Sequence, residues 1–168
     1  VTGEINGEDT LSFKIPYRDG KRGYIDSEKK IQIVDDVYKV RTVTDTRDTD
    51  GSAVTEVYAE AEFYDLTFSV RKEERTFEAE YPETAMAYAL EGTEWSVGTV
   101  TVRTKRTWTS TEKNALSILR NTADLHGGDL VFDCPNRLGH LLTVNGRDSG
   151  ALFAYRKNMK YIQRVVDT

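Results

Sequence analysis

"VTEVYAEAEFYDLTF", Val54–Phe68, decides the fold because apolar and polar residues alternate along it. One predicted face carries the apolar residues Val57, Ala59, Ala61 and Phe63. The positions between them form the other face, which is predicted to be exposed to solvent: Glu56, Tyr58, Glu60, Glu62 and Tyr64. Successive side chains of a strand point to opposite faces, so the pattern predicts a strand with one buried face.

The residues before this stretch predict further strands. "TLSFKI", Thr10–Ile15, alternates in the same way, and Ile31–Thr44 predicts a hairpin that turns at Asp35-Asp36. A polar turn with Gly51 follows that hairpin. Residues 1–70 are therefore predicted to form a β-rich domain, part of a barrel or a sandwich.

A helix and a glycine-containing joint come after residue 70. Glu83–Glu91 predicts a short helix that begins near Pro82, where the missing N–H costs nothing, and ends at Gly92 in the left-handed conformation. We expect Trp95 to anchor the next strand on this helix. We expect Gly98 to mark a bulge or the close approach of neighbouring backbone. This stretch is interpreted as a helix-to-strand joint and not as a ligand loop.

The rest of the second region predicts a long strand, a helix and a hairpin. The strand covers residues 94–109, and "TSTE", Thr109–Glu112, matches a capping box for a helix that runs to about Leu125. Gly127-Gly128 ends that helix, and two strands then flank the turn "CPNR". Residues 71–155 are therefore predicted to be an α+β domain, with two helices on a small, mostly antiparallel sheet.

Composition excludes several classes of protein. The 168-residue chain has a formal net charge of −5, which argues against nucleic-acid binding through net positive charge. Its one cysteine excludes an intramolecular disulfide framework. No apolar run is long enough to span a bilayer, and no signal-peptide pattern is present. The chain begins with Val1, and we expect it to be a piece of a longer protein.

The residues that could act in catalysis or metal binding are predicted to have structural roles. His126 lies at a predicted helix end, His140 within a predicted strand, and Cys134 in a turn before Pro135. As zinc ligands these three would have no finger-like spacing, and nothing near Cys134 suggests a lowered pKa. The glutamates alternate along an exposed strand face and do not form the facing pair that a glycosidase needs. "HGGD" and "NGRDSG" lack the context of a phosphate loop. We predict no catalytic, cofactor-binding or metal-binding residues.

Charge is distributed unevenly along the chain. Residues 56–94 are acidic, whereas residues 103–120 and 156–164 are basic. Three aromatic residues lie among the basic ones: Trp108, Tyr155 and Tyr161. The basic and aromatic residues would suit a nucleic-acid surface. An acidic and a basic face would equally suit contacts between copies of the chain. An ordinary mixed surface is the third interpretation.

Five stretches in order carry a family resemblance: "INGEDTLSFKIP", "VYAEAEFYDL", "TAMAYALEGTEWSVG", "ALSILRNTADLHGGDLVFD" and "GRDSGALFAYRKNMKYIQRVVDT". Together they resemble the N-terminal region of siphophage tail-associated lysins, the prophage endopeptidase tail proteins of phages and prophages of Gram-positive hosts. The resemblance covers essentially the whole chain. No single stretch is specific; the ordered set carries it.

The resemblance implies a fold and an assembly. Residues 1–70 would be a partial β-barrel-like hub domain similar to phage baseplate hubs, and residues 156–168 would return toward it. The chain would form a homotrimer at the tail tip of the virion, after synthesis in the bacterial cytoplasm. It would dock on the distal tail protein, next to the tail tube or the tape measure protein, without membrane insertion or sequence-specific nucleic-acid binding. Lytic domains of the family lie C-terminal to this region, so no enzymatic activity is expected here.

Two other functions are kept as alternatives. Glutamate-rich strands and the family's lytic associations would fit a cell-wall hydrolase, a peptidoglycan endopeptidase. Nine tyrosines and two tryptophans would fit a module that binds the host surface. Most of these aromatic residues occupy alternating or helix-core positions, which favours packing.

Overall fold

A computed structural model describes residues 2–3, 9–33, 36–47, 49, 51–69 and 72–143. The strands are β1 Thr2–Gly3, β2 Asp9–Pro16, β3 Lys30–Ile33, β4 Asp36–Arg47, β5 Ala53–Ala61, β6 Arg75–Glu80, β7 Ser96–Val100, β8 Arg106–Ser110, β9 Asp129–Asp133 and β10 Leu138–Leu142. The helices are α1 Pro82–Leu90 and α2 Ala115–His126, with 3₁₀ helices at Arg22–Tyr24 and Glu62–Phe68. None of the helices in these ranges is long and apolar enough to cross a membrane.

The first region is a five-stranded sheet with the order β1-β2-β5-β4-β3, and it curls as a half-barrel. All of its pairings are antiparallel, with Ala59 of β5 opposite Leu11 of β2 and Val40 of β4. Val57, Ala59 and Ala61 are buried, which confirms the inward face predicted from the alternation. The quoted stretch therefore supplies the central strand of the sheet.

The predicted strand over Val54–Phe68 is too long. β5 ends at Ala61, and Glu62–Phe68 forms a 3₁₀ helix instead. Phe63 and Leu66 are both buried, and their spacing of three residues matches one turn of such a helix. The apolar period changes from two to three at this point, and this change ends the strand.

The β3–β4 hairpin turns one residue earlier than predicted. Ile33 pairs with Asp36, so Asp36 already belongs to β4. The loop between the two strands consists of residues 34–35, which lie outside the described residues.

The second region differs from its prediction in its sheets. The long strand predicted over residues 94–109 is two strands, β7 and β8, in different sheets. β7 pairs with β10 in parallel, β10 pairs with β9 antiparallel, and β8 pairs with β6. β6 was not predicted, because Phe77 is the only buried residue among its charged neighbours. The apolar alternation of the sequence stops after Val102, since residues 103–107 contain no apolar side chain, and this loss marks the place where the strand breaks.

The two helices are as predicted, but one cap is not. α1 begins at Pro82, and Gly92 has a φ of +77°, as expected for the residue that closes the helix. α2 is capped by Asn114, whose side-chain oxygen accepts a hydrogen bond from the Ser117 N–H at 2.9 Å. The predicted capping box at Thr109–Glu112 is wrong, because Thr109 and Ser110 belong to β8.

One hydrophobic cluster contains buried residues of both regions. Phe63, from the 3₁₀ helix after β5, stacks on Phe132 of β9 with ring centroids 4.2 Å apart. The buried Trp95 meets Phe132 edge to face at 5.6 Å. α2 supplies the fully buried Ile118 and Leu119 to this cluster. The predicted boundaries at residues 70 and 155 stay predictions, and the 156–168 segment lies outside the described residues.

The bulge expected at Gly98 is present, because Gly98 and Thr99 of β7 lie together opposite His140 of β10. The alternative expectation, a close approach of neighbouring backbone, is wrong, because the close neighbour is a side chain. A Cβ at Gly98 would lie 2.5 Å from atoms of the His140 ring on the adjacent strand β10. The absence of a side chain at Gly98 therefore makes room for this imidazole.

Candidate functional site

Both histidines are held by backbone groups. His126 ends α2 and is buried, with its Nδ1 2.9 Å from the carbonyl oxygen of Thr104. His140 lies on β10, and its Nδ1 accepts the N–H of Thr99 at 2.8 Å. Each imidazole thus joins its own element to the loop or strand beside it, which is a structural role.

Cys134 is buried in the turn between β9 and β10, and burial raises the pKa of its thiol to about 11. A thiol with a raised pKa carries little of the thiolate that nucleophilic attack requires. In the ranges that the structure describes, no group of three or more His, Cys, Asp or Glu residues could hold a metal ion.

Glu62 departs from the predicted solvent face. The two glutamates of β5 bond cations on the outer face: Glu56 with Lys14 at 2.5 Å, and Glu60 with Arg41 at 3.0 Å. Glu62 itself is only 7% exposed, because the 3₁₀ helix turns it away from the strand face. A carboxylate at this depth requires cationic or hydrogen-bonding partners.

The partners of Glu62 define a junction between the two regions. Its Oε1 accepts Lys30 Nζ at 2.5 Å and Arg137 Nη2 at 3.2 Å. The second Arg137 nitrogen, Nη1, bonds Glu94. Arg137 has a φ of +53°, which is uncommon for a residue with a side chain, and its carbonyl accepts the Ser96 N–H at 3.0 Å. The alternating pattern of β5 gave no signal for this junction.

A second ion-pair cluster lies where β4 bulges. The register of β4 against β5 shifts between Val40 and Thr42, at Arg41. Arg41 bonds Glu60 and Asp65, and Lys39 reaches the same Asp65 at 3.1 Å. Burial opposes ionisation of Asp65, but these hydrogen bonds outweigh it and lower its pKa. The cluster fastens the 3₁₀ helix after β5 to the sheet.

A third arrangement supports residues 17–29, here called the tyrosine loop. Arg22 bonds both carboxylate oxygens of Asp45, at 3.2 and 2.9 Å, and also the hydroxyl of the fully buried Thr55 at 3.0 Å. Its remaining nitrogen donates to the carbonyl of Ile25. Tyr24, within the 3₁₀ turn of the loop, is 82% exposed. Sequence reasoning missed this loop, because its anchors Asp45 and Thr55 lie on distant strands.

The acidic and basic blocks of the sequence partly neutralise each other. Arg103 forms an ion pair with Glu83, and Arg106 lies opposite Glu80 in the β6–β8 pair. Lys105 lies over the Tyr81 ring at 4.8 Å. The basic residues at 156–164, with Tyr155 and Tyr161, are outside the described residues, and the predicted contact between copies stays a prediction.

An acidic remainder is left on residues 73–80, here called the acidic segment. Glu73, Glu74 and Glu78 are exposed. None of the three forms an ion pair with another described residue. Glu80 and the one cation of the segment, Arg75, are also exposed, so residues 73–80 keep a net negative charge.

Comparison with known proteins shows which proteins share this architecture. The family model described as the prophage endopeptidase tail N-terminal domain matches residues 1–61, and that of the prophage endopeptidase tail domain matches residues 69–140. The chain shares its fold with the prophage tail protein gp18 from Listeria monocytogenes EGD-e, with a TM-score of 0.74 and 14% identity. The match covers 93% of this chain and 48% of that one, so the chain spans about half the length of gp18. No curated protein matches the chain at the level of sequence.

The two family matches are consecutive and cover most of the sequence, in agreement with the resemblance carried by the ordered stretches. The strand-rich fold with its half-barrel sheet matches a prophage tail protein. The chain belongs to the prophage endopeptidase tail proteins and contains the N-terminal tail domains of that family.

Proposed function

We propose that the chain is a structural part of a phage tail tip, the hub region that assembles as a homotrimer and docks on the distal tail protein. The observation that carries this proposal is the pair of consecutive tail-domain matches at residues 1–61 and 69–140. In the virion the trimer would border the channel next to the tail tube or the tape measure protein.

The use of charged residues supports a structural role. Glu62 and Arg137 join the sheet to the second region, and Arg41 fastens the 3₁₀ helix to the sheet. These groups are committed to partners within the chain, which makes them poor candidates for proton transfer to a substrate. The arrangement suits a stiff assembly module.

The hydrolase alternative has weaker support. Glu60, Glu62 and Asp65 are bonded to lysine or arginine. Burial raises the pKa of Cys134. We place any lytic activity in a C-terminal domain beyond this chain. The host-binding alternative is also weaker, because Tyr38 and Trp95 are buried and four more of the described tyrosines and tryptophans are only partly exposed: Tyr58, Tyr64, Tyr88 and Trp108.

Light scattering and a binding assay test the proposal. We expect the mass of a trimer, and we expect binding to the distal tail protein of the same phage but not to that of an unrelated phage. A chain that stays monomeric and ignores its distal tail protein would contradict the proposal. Peptidoglycan turnover by this chain, lost after a carboxylate substitution, would favour the hydrolase instead.

A further inference from the structure

The tyrosine loop, residues 17–29, is held rigidly from below. Arg22 bonds Asp45 and Thr55 on two neighbouring strands, β4 and β5. Consecutive backbone hydrogen bonds also close the loop, from Asp19 to Pro16, from Arg22 to Asp19 and from Ile25 to Arg22. A loop ordered in this way loses little conformational entropy when it binds a partner.

The outer side of this loop carries residues typical of protein interfaces. Tyr24 is 82% exposed and Tyr17 is 45% exposed. Arg18 and Lys21 are exposed beside them, and neither forms an ion pair with another described residue. Asp19 and Asp26 are also exposed, so the loop side chains that form no ion pair with a described residue are three cations, including Lys29, against two carboxylates. Exposed tyrosine beside this net positive charge suits an acidic partner surface.

The acidic segment, residues 73–80, has the complementary character. Glu73, Glu74 and Glu78 keep their charge uncompensated by described residues, and β6 has β8 as its strand partner in the described sheet. Within the described parts of one chain, no hydrogen bond or ion pair joins the loop to the segment. The two surfaces are thus free to meet between molecules.

We propose that the tyrosine loop of one copy docks on the acidic segment of the next copy. This contact uses two different surfaces, and such contacts form a closed ring when the rotation between copies closes. The inference rests on the proposed homotrimer and assigns its interface. Tyr24 would be the central anchor, with Arg18 and Lys21 facing the glutamates.

Charge reversal tests this assignment by sedimentation across a concentration series. We expect Arg18→Glu with Lys21→Glu, and separately Glu73→Lys with Glu78→Lys, to weaken self-association about tenfold or more. The variant with all four substitutions restores opposite charges across the interface, and we expect it to recover self-association. We expect Tyr24→Ala to weaken association about 30-fold.

A matched control carries the same change of net charge elsewhere. Lys14→Glu with Arg103→Glu alters two exposed cations outside both surfaces, and we expect it to leave association unchanged. Circular dichroism melts verify that every variant folds.

The outcomes separate this inference from the proposed function. Trimers that tolerate both reversals overturn the interface while leaving the homotrimer intact. Reversals of the loop that abolish binding to the distal tail protein, with unchanged self-association, also overturn it. A wild-type chain that stays monomeric at every concentration overturns the inference. In that case, the assay for binding to the distal tail protein remains as a separate test of the proposed function.

Discussion

The five-stranded sheet and the α+β region bury their apolar residues to different depths. Near Ala59 the sheet is tightly closed, but toward its far end Ile15 and Val43 are only half-buried. In the α+β region, α2 contributes Ile118 and Leu119, which are completely buried. The closed part of the sheet therefore matches α2 in burial, whereas its open end at Ile15 and Val43 relies on the loop and the ion pairs over it.

Two isoleucines give the largest test of this comparison. We expect Ile118→Ala to lower the free energy of unfolding by about 2–5 kcal/mol, because it leaves a cavity in the dense core. We expect Ile15→Ala to cost roughly 1 kcal/mol, because the side chain is half-exposed and water fills the space. Denaturant unfolding of both variants measures the difference. Equal losses would show that the sheet end is as tightly packed as α2.

The junction at Glu62 gives the next effect. Arg137→Ala leaves a buried carboxylate with Lys30 as its remaining cation, and we expect it to cost about 1–3 kcal/mol. Lys14→Ala breaks a pair in which both side chains are about half or more exposed, and we expect a change within about 0.5 kcal/mol. Urea midpoints of the two variants measure this contrast. Similar values would contradict a special role for the junction.

Gly98 gives a smaller test within the α+β region. Gly98→Ala would place a Cβ 2.5 Å from the His140 ring, so the half-buried ring must move. We expect a loss of about 1 kcal/mol, at the low end of the range for overpacking. Gly20→Ala, where a Cβ would meet nothing within 4 Å, is the matched control in the sheet region. Thermal unfolding should also show that His140→Ala removes most of the effect.

The smallest expected effect is the loss of stability at low pH, which tests the ion pairs of Asp65 in the sheet region. Hydrogen bonds from Arg41 and Lys39 lower the pKa of Asp65, whereas its pKa in the unfolded chain is ordinary. A lowered folded-state pKa adds stability above the unfolded value of 3.8, and that stability disappears as pH falls through the folded value. We therefore expect stability to decline below about pH 4, with a shallower decline in Arg41→Gln. An unchanged pH profile in that variant would exclude this contribution.

The sequence predicted those strands and helices that show a regular local spacing of apolar residues. β5 was found because Val57, Ala59 and Ala61 alternate, and α2 because its apolar residues recur at helical spacing. β6 was not predicted because Phe77 is the only one of its six residues that is buried. The break between β7 and β8 was missed because the threonines at 101, 104 and 107 suit a strand, although the apolar alternation stops after Val102. The two strands pair with different partners in different sheets.

The interaction sites depend on contacts that no local pattern reports. Glu62 meets Arg137 across 75 positions of sequence, and Arg22 meets Asp45 across 23. In the alternating pattern Glu62 was indistinguishable from Glu56 and Glu60. The absence of chemically suggestive spacing around His126, Cys134 and His140 was visible from the sequence, because motif spacing is itself a local property.

In the tyrosine loop, the residues that set its shape are separate from those that it displays. Arg22 and its partners Asp45 and Thr55 hold the backbone, whereas Arg18, Lys21 and Tyr24 project outward. The outward residues can therefore be exchanged as a set without redesign of the sheet. For an engineer, this loop is a place to graft new binding specificity onto a tail protein. For a phage lineage, the proposed contact at this loop would be able to diverge in step with its partner surface while the fold stays the same.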